Sequence, residues 1–492
     1  KDFEKYYQSA KDEQGVRFVR SRVHSLQEDP ETKDLVLEYA DENGYRQTET
    51  FNMVILSTGM ETSSEFVELS KQMDIDLDKD NLIDASSFNP VETSRDGIYA
   101  CGAIQEPKDI PGSVVEASAA ACEAEKALWE VRGSQAQSKT YPEEMEVSRE
   151  EPRIGVFVCN CGSNIGGIVD VPAVAEHVRT MPNVEYVEEN LFTCSQDTQD
   201  KMKEIIQDKG LNRIVVAACT PRTHEPLFQE TLQDAGLNKY LFEMANIRNQ
   251  CSWVHSKEKD QATEKAKDLV SMAVARSRRV QALDQPSIGV NNQAMVIGGG
   301  ISGLSAALGL AEQGFKTHIV ERSSQLGGNA LKLSTTWKGE DIQKQVKDIL
   351  NRVEENQLID VYTDAEIKET AGFVGNFQTT LTSDSREITL EHGAVIIATG
   401  AEEYKPTEYL YGSDERILTH QDLDGAMANQ DKRVKDANTA VFVQCVGSRE
   451  PERPYCSKVC CTHSIKSAIS MKKNNPEMQI YILYRDIRTY GQ

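Results

Sequence analysis

The sequence predicts an α/β protein of several domains. Three observations lead there. Short β-branched runs alternate with amphipathic helical stretches, a glycine-rich turn joins one such run to an apolar helix, and cysteines collect where strands end. At 492 residues the chain exceeds what one ordinary core organises. Hydrophobic residues at 39% and charged residues at 27% fit globular domains. The formal charge of −24 argues against nucleic-acid binding, which needs a basic surface. No apolar stretch reaches the length of a membrane span, and the first residues do not read as a signal peptide, so a cytoplasmic location is expected.

Residues 1–133 alternate strand-like and helix-like pieces. Phe51 to Gly59 and Ile98 to Gly102 each read as a strand ending in a turn, and a helix is expected from about Ser113 to Arg132. Residues 134–151 are polar and lack apolar periodicity, the pattern of a linker. Residues 152–285 form a second unit. Ile154 to Val158 and Arg213 to Ala217 are β-branched strands between amphipathic helices, and a long charged helix from Lys257 to Arg279 closes it. A third unit covers 286–492.

In that third unit, the apolar run Ala294 to Ile297 enters Gly298-Gly299-Gly300-Ile301-Ser302-Gly303, a G-x-G-x-x-G turn. An apolar helix follows, stopped by Gly314, and then the strand Thr317 to Val320 ends at Glu321. The glycines allow a tight turn and close approach of a pyrophosphate. The helix start offers unpaired N–H groups, and Glu321 can accept ribose hydroxyls. The signal is thus a strand, turn, helix, strand and acid in register, which points to dinucleotide binding.

Glu321-Arg322 followed by Leu326-Gly327-Gly328-Asn329 resembles the flavoproteins that carry two dinucleotide-binding domains, and Ala394 to Gly400, ending in Ala398-Thr399-Gly400, resembles their second signature. The resemblance implies FAD, touching Gly298, Gly300, Ser302, Gly303, Glu321, Arg322, Gly328, Asn329, Thr399 and Gly400. Val54 to Gly59 resembles another such strand end, and Gly97 to Ala103 resembles the late flavin motif. That motif usually has an Asp near the position of Gly102, which is missing here. The helix after Pro111 would then direct its positive end at the flavin ring. The end of one FAD fold therefore precedes the start of another. A fragment of a tandem, fused or permuted protein is expected, with Tyr484 to Gln492 running naturally into Lys1 to Tyr7, and the two ends are expected to complete one FAD domain between them.

The chain has 11 cysteines, clustered rather than spread. Cys159 and Cys161, then Cys194, then Cys219 follow strand-like runs, placing thiols on the rim where α/β sheets collect ligands. From spacing alone, metal ligation and buried structural thiols fit this group equally. Cys445, Cys456, Cys460 and Cys461 form a second, tighter group, and the absence of C-x-x-C disfavours dithiol exchange.

The segments VCNCGSNIGG, VVAACTPRTHEP, LFEMANIRNQCSWVH, VIGGGISGL and CVGSREPERPYCSKVCC resemble the family of A-type subunits of heterodisulfide reductase across essentially the whole chain, allowing for the order above. The resemblance implies FAD-binding, Rossmann-like portions of thioredoxin-reductase type plus a separate α/β cysteine-bearing domain. It implies that Cys445, Cys456, Cys460 and Cys461 ligate a [4Fe-4S] cluster near FAD, with Cys159, Cys161, Cys194 and Cys219 as the second quartet and Cys251 in reserve. It also implies electron relay within a complex with B-type and C-type subunits, with a hydrogenase, formate dehydrogenase or ferredoxin as donor or acceptor, and with electron bifurcation as an extension. Cys101 and Cys122 read as structural, Gly102 as the remaining flavin contact, and no residue is assigned a catalytic role. The rival reading is a plain FAD-dependent pyridine-nucleotide oxidoreductase with structural or zinc-bound cysteines.

Overall fold

The structure, a computed structural model, describes residues 3–383 and 386–489, with side chains from residue 6 onward. The expected junction of Gln492 with Lys1 lies outside the described residues. The chain divides into two compact units: residues 1–134 with 289–492, and residues 135–288.

The first unit is centred on a parallel four-stranded sheet in the order Ile359–Tyr362, Thr317–Val320, Ala294–Ile297, Ala394–Ile397. Helix Ile301–Ala311 starts at Gly300 and ends before Gly314, whose left-handed backbone (φ 82°) terminates it while Phe315 N–H returns to Leu310 O. Helix Ile342–Glu355 is capped by Asp341 and buries Ile342, Val346, Ile349 and Val353, the spacing of one helical face. Both helices pack with the sheet around Val296, Leu304, Ala307 and Ile319. An antiparallel sheet, Ala365–Phe373, Asn376–Ser383 and Arg386–His392, sits between the third and fourth strands in sequence. Beyond it, Thr439–Val443 pairs in parallel with Gln479–Leu483, joined through helix Cys460–Asn474.

The early segment of the chain packs onto this same fold. Phe88 joins the core around Val296, and Glu340 accepts hydrogen bonds from the Ser86 hydroxyl and the Ser87 N–H, each 3.0 Å. Helix Ile110–Ala127, capped by Asp109, lies against helix Ile301–Ala311. There Gln313 Nε2 reaches Cys122 Sγ at 3.3 Å, and Trp129 meets Phe315 with ring centroids 6.2 Å apart. Residues 84–131 thus pack against the later segment. Earlier still, Ser21–Glu28, Leu35–Asp41 and Arg46–Phe51 form an antiparallel sheet of their own.

Two expected strands do not form. The strand Arg46–Phe51 ends where the apolar run begins, and Met53, Ile55 and Leu56 are exposed. A strand exists only through its ladder, and residues 53–59 pair with no other segment among the described residues. Ile98 to Gly102 is likewise irregular, held by an isolated bridge between Glu92 and Tyr99.

The second unit is a four-stranded parallel sheet in the order Val184–Asn190, Ile154–Cys159, Arg213–Ala218, Phe242–Asn246. Ile154–Cys159 and Arg213–Ala218 are buried throughout, as all-parallel central strands must be. The closing helix is Lys259–Ser277, shorter at both ends than its charge pattern implied. Most of the polar stretch 134–151 has no regular structure, yet part of it packs here: Val147 is buried and Met145 N–H bonds Gly236 O at 2.8 Å.

Candidate functional site

In the first unit, the glycine turn is shaped by contact at two positions and by openness at a third. A Cβ on Gly303 would stand 1.8 Å from Gly298 O, and one on Gly298 would stand 2.3 Å from Ala398 O. Gly298 also has φ 108°, which side-chain-bearing residues rarely adopt. A Cβ on Gly300 would meet nothing within 4 Å. Gly300 also leads helix Ile301–Ala311 with no side chain capping its first N–H groups. Open space beside uncapped donors suits a pyrophosphate.

Glu321 lies at the end of the second strand. Burial pushes its carboxyl up, but hydrogen bonds from Ser323 and from Gly299 N–H (2.7 Å) win and keep it below the usual carboxylate range. It is ionised, as a ribose acceptor should be. The Leu326-Gly327-Gly328 loop closes onto the turn: Gly327 N–H bonds Gly299 O at 2.7 Å, and Gly300 and Gly327 form an isolated bridge. Asn329 Nδ2 donates to Ala401 O at 2.8 Å, tying this loop to the Thr399-Gly400 end, and Arg322 pairs with Glu402 across an exposed face. Ser302 lies in the first turn of the helix. Gly102, with φ 83°, gives its N–H to Glu116 at 2.9 Å, and Glu116 pairs in turn with Lys108. The late motif thus lacks its own acid, and the carboxylate beside it comes from the following helix. Glu116 carried no sequence signal, because the contact depends on how that helix folds back.

Cys445, Cys456, Cys460 and Cys461 occur in this same unit. Cys445 follows strand Thr439–Val443 in the left-handed region (φ 63°), and Cys460 and Cys461 open helix Cys460–Asn474. Burial raises the Cys460 thiol, and Cys461, Cys456 and Cys445 push it the same way. Arg449 Nη1 approaches Cys445 Sγ at 3.9 Å and is paired with Asp486.

In the second unit, the strand order reverses direction between Ile154–Cys159 and Arg213–Ala218, which makes the crevice beyond their carboxyl ends the topological switch point. Cys159 and Cys161 flank that crevice on one side and Cys219 on the other, while Cys194 follows the neighbouring strand Val184–Asn190. Burial raises Cys194 and Cys219. Cys159 and Cys161 raise both further, and the Arg248 guanidinium acts against all of this. Cys161 is also left-handed (φ 46°).

Cys251 stands apart. It is fully buried, its Sγ bonds Ala262 O at 2.9 Å, and only Lys265 appears among the charges acting on it. Among the described residues, no three His, Cys, Asp or Glu side chains close around a point at single-ion distances. A cubane holds its thiolates further apart than one ion does, and four thiols in each unit are the donors it takes.

The pyridine nucleotide-disulphide oxidoreductase family model matches residues 1–121 and 292–443, segments that fold together in the first unit. The chain is 34% identical to the A-type subunit of the H(2):CoB-CoM heterodisulfide,ferredoxin reductase of Methanothermobacter thermautotrophicus, covering 71% of this chain and 67% of that protein. It is 35% identical to the second A-type iron-sulfur subunit of the CoB--CoM heterodisulfide reductase of Methanopyrus kandleri, covering 70% and 67%. Among solved structures, L-proline dehydrogenase from P. horikoshii superposes with a TM-score of 0.27 at 15% identity, over 43% of this chain and 39% of that one. An overlap so slight bears on neither function nor fold. On the family model and these relatives, the chain belongs to the A-type subunit family of heterodisulfide reductases, which are FAD-dependent oxidoreductases.

Proposed function

We propose that this chain is the FAD- and [4Fe-4S]-dependent electron-transfer subunit of a heterodisulfide-reductase-like complex, passing electrons between flavin, clusters and partner subunits. The observation that carries this reading is that one compact unit contains both the glycine turn, with open space at Gly300, and the four thiols Cys445, Cys456, Cys460 and Cys461. Flavin supplies the exchange between two-electron and one-electron chemistry, and iron–sulfur clusters supply one-electron conduction.

The chain's own residues do the holding. Gly298, Gly300 and Gly303 admit the pyrophosphate, with Ser302 in the helix turn that faces it. Ionised Glu321 takes the ribose hydroxyls, and Gly328, Asn329, Thr399 and Gly400 form the wall that Arg322 braces. Gly102 is the remaining flavin contact of the late motif. The second quartet, Cys159, Cys161, Cys194 and Cys219, holds the further cluster, and Cys251 has a packing role. Partners of B and C type, with a hydrogenase, formate dehydrogenase or ferredoxin as donor or acceptor, fit the names of the relatives, some of which pair heterodisulfide with ferredoxin or with H(2) and formate. Bifurcation and a cytoplasmic location belong to the same reading, and no described helix is long and apolar enough to cross a membrane.

Anaerobic purification followed by absorption spectroscopy tests the proposal. Flavin bands over a broad absorption that dithionite bleaches are the expected result. Flavin bands alone would return the chain to the plain pyridine-nucleotide oxidoreductase reading.

A further inference from the structure

We infer that Arg248 sets the reduction potential of the cluster held by Cys159, Cys161, Cys194 and Cys219, keeping it higher than four thiolates alone would allow. This rests on the proposed reading of that quartet as a cluster site. The turn that carries Arg248 is built to hold it still. Arg248–Ser252 follows strand Phe242–Asn246 as a π-helical turn. Ile247 and Ser252, at its two ends, are fully buried, with Ile247 N–H on Ala218 O at 2.9 Å and Ser252 Oγ on Asn164 O at 2.6 Å. Cys251, within the turn, is anchored to Ala262 O.

The Arg248 side chain then runs across the face of Trp253, 4.8 Å from the ring centroid, and its Nη1 reaches Cys161 Sγ at 3.5 Å. No carboxylate among the described residues forms an ion pair with it. Arg449, in the corresponding place beside Cys445, is paired with Asp486. A cluster on four thiolates is anionic and gains one further negative charge on reduction. A half-buried, uncompensated cation beside one sulfur therefore stabilises the reduced form more than the oxidised form. The charge on Arg449 is already partly spent on Asp486.

The test is a dithionite titration of the full chain, purified anaerobically and followed by electron paramagnetic resonance, for wild type, R248M and R248K. Expected for R248M is a roughly tenfold rise in the oxidised-to-reduced ratio of one cluster at the wild-type midpoint, about 59 mV downward for a one-electron couple. Expected for R248K is partial recovery, with iron content and the second cluster's midpoint unchanged in both. An unmoved midpoint in R248M, or loss of about four irons from it, would overturn the inference. A C161S variant that retains all wild-type iron would instead refute the quartet reading beneath it.

Discussion

Lys126 Nζ lies 2.8 Å from Glu312 Oε2, joining helix Ile110–Ala127 to the end of helix Ile301–Ala311 although the whole cysteine-bearing unit separates them in sequence. Both side chains are partly buried. Burial pushes each toward its neutral form, yet Glu123 and Glu312 together raise Lys126, and Lys126 with Arg352 lowers Glu312. Replacing Lys126 by Met should destabilise the first unit by about 1–2 kcal/mol, between the values for exposed and fully buried pairs. Urea unfolding monitored separately for the two units reads this, and an equal loss in both units would contradict it.

Gly314 reports on the same union of distant segments. A Cβ there would stand 2.1 Å from the Trp129 ring, and the backbone has φ 82°. G314A should therefore cost about 1–3 kcal/mol, through strain and overpacking together. In G314A combined with W129A the steric part should be relieved, so the double variant should lose less than the sum of the single ones. Simple additivity in thermal unfolding would argue that Trp129 does not pack on this turn.

The glycine turn separates folding from flavin binding. Gly300 has an ordinary φ of −76° and open space where a side chain would go, whereas a Cβ on Gly303 would strike Gly298 O. G300V should leave flavin-free stability within about 1 kcal/mol of wild type while weakening flavin binding more than about tenfold. G303V should prevent the first unit from folding. Flavin content and thermal midpoints of the two variants are the measurement.

His420 gives the first unit an acid sensitivity. Burial, with His463 stacked 4.6 Å away as a second cause, pushes its pKa down to about 4 despite Glu403 and Asp424, while Lys466 adds to the depression. Its ring also bonds Ser464 Oγ at 2.8 Å. Below the unfolded value of about 6.5 the unfolded chain takes up a proton that the native one refuses, so stability falls as pH drops from there toward 4. The slope contributed by one proton is at most about 1.4 kcal/mol per pH unit. H420F should flatten the decline between about pH 6.5 and about pH 5, as read by urea midpoints, and an unchanged slope would contradict the buried neutral imidazole.

Much of this was legible in the sequence wherever a local pattern carried it. Ala294 to Ile297, the glycine turn, Thr317 to Val320 and the helix stop at Gly314 appear where their residue types required. Ile154–Cys159 and Arg213–Ala218 do as well, because a doubly covered parallel strand is apolar at nearly every position. Val54 to Gly59 looked equally strand-like, but a strand needs a partner to pair with, and local sequence does not report one. Arg248, Arg449 and Glu116 were invisible for a related reason. Each acts through a turn or helix whose direction no periodicity encodes. Cys251 shows the reverse, since a thiol beside a cluster-like motif is here spent on a backbone carbonyl.

On the proposed reading, two separate thiol quartets each hold a cubane in a chain that binds one flavin. Iron and acid-labile sulfide per FAD, measured on the anaerobic full chain and on its C445S and C159S variants, tests it most directly. Expected are about eight irons per flavin in wild type and about four in each variant. Flavin with no iron in wild type, or an iron content that neither substitution lowers, would contradict it.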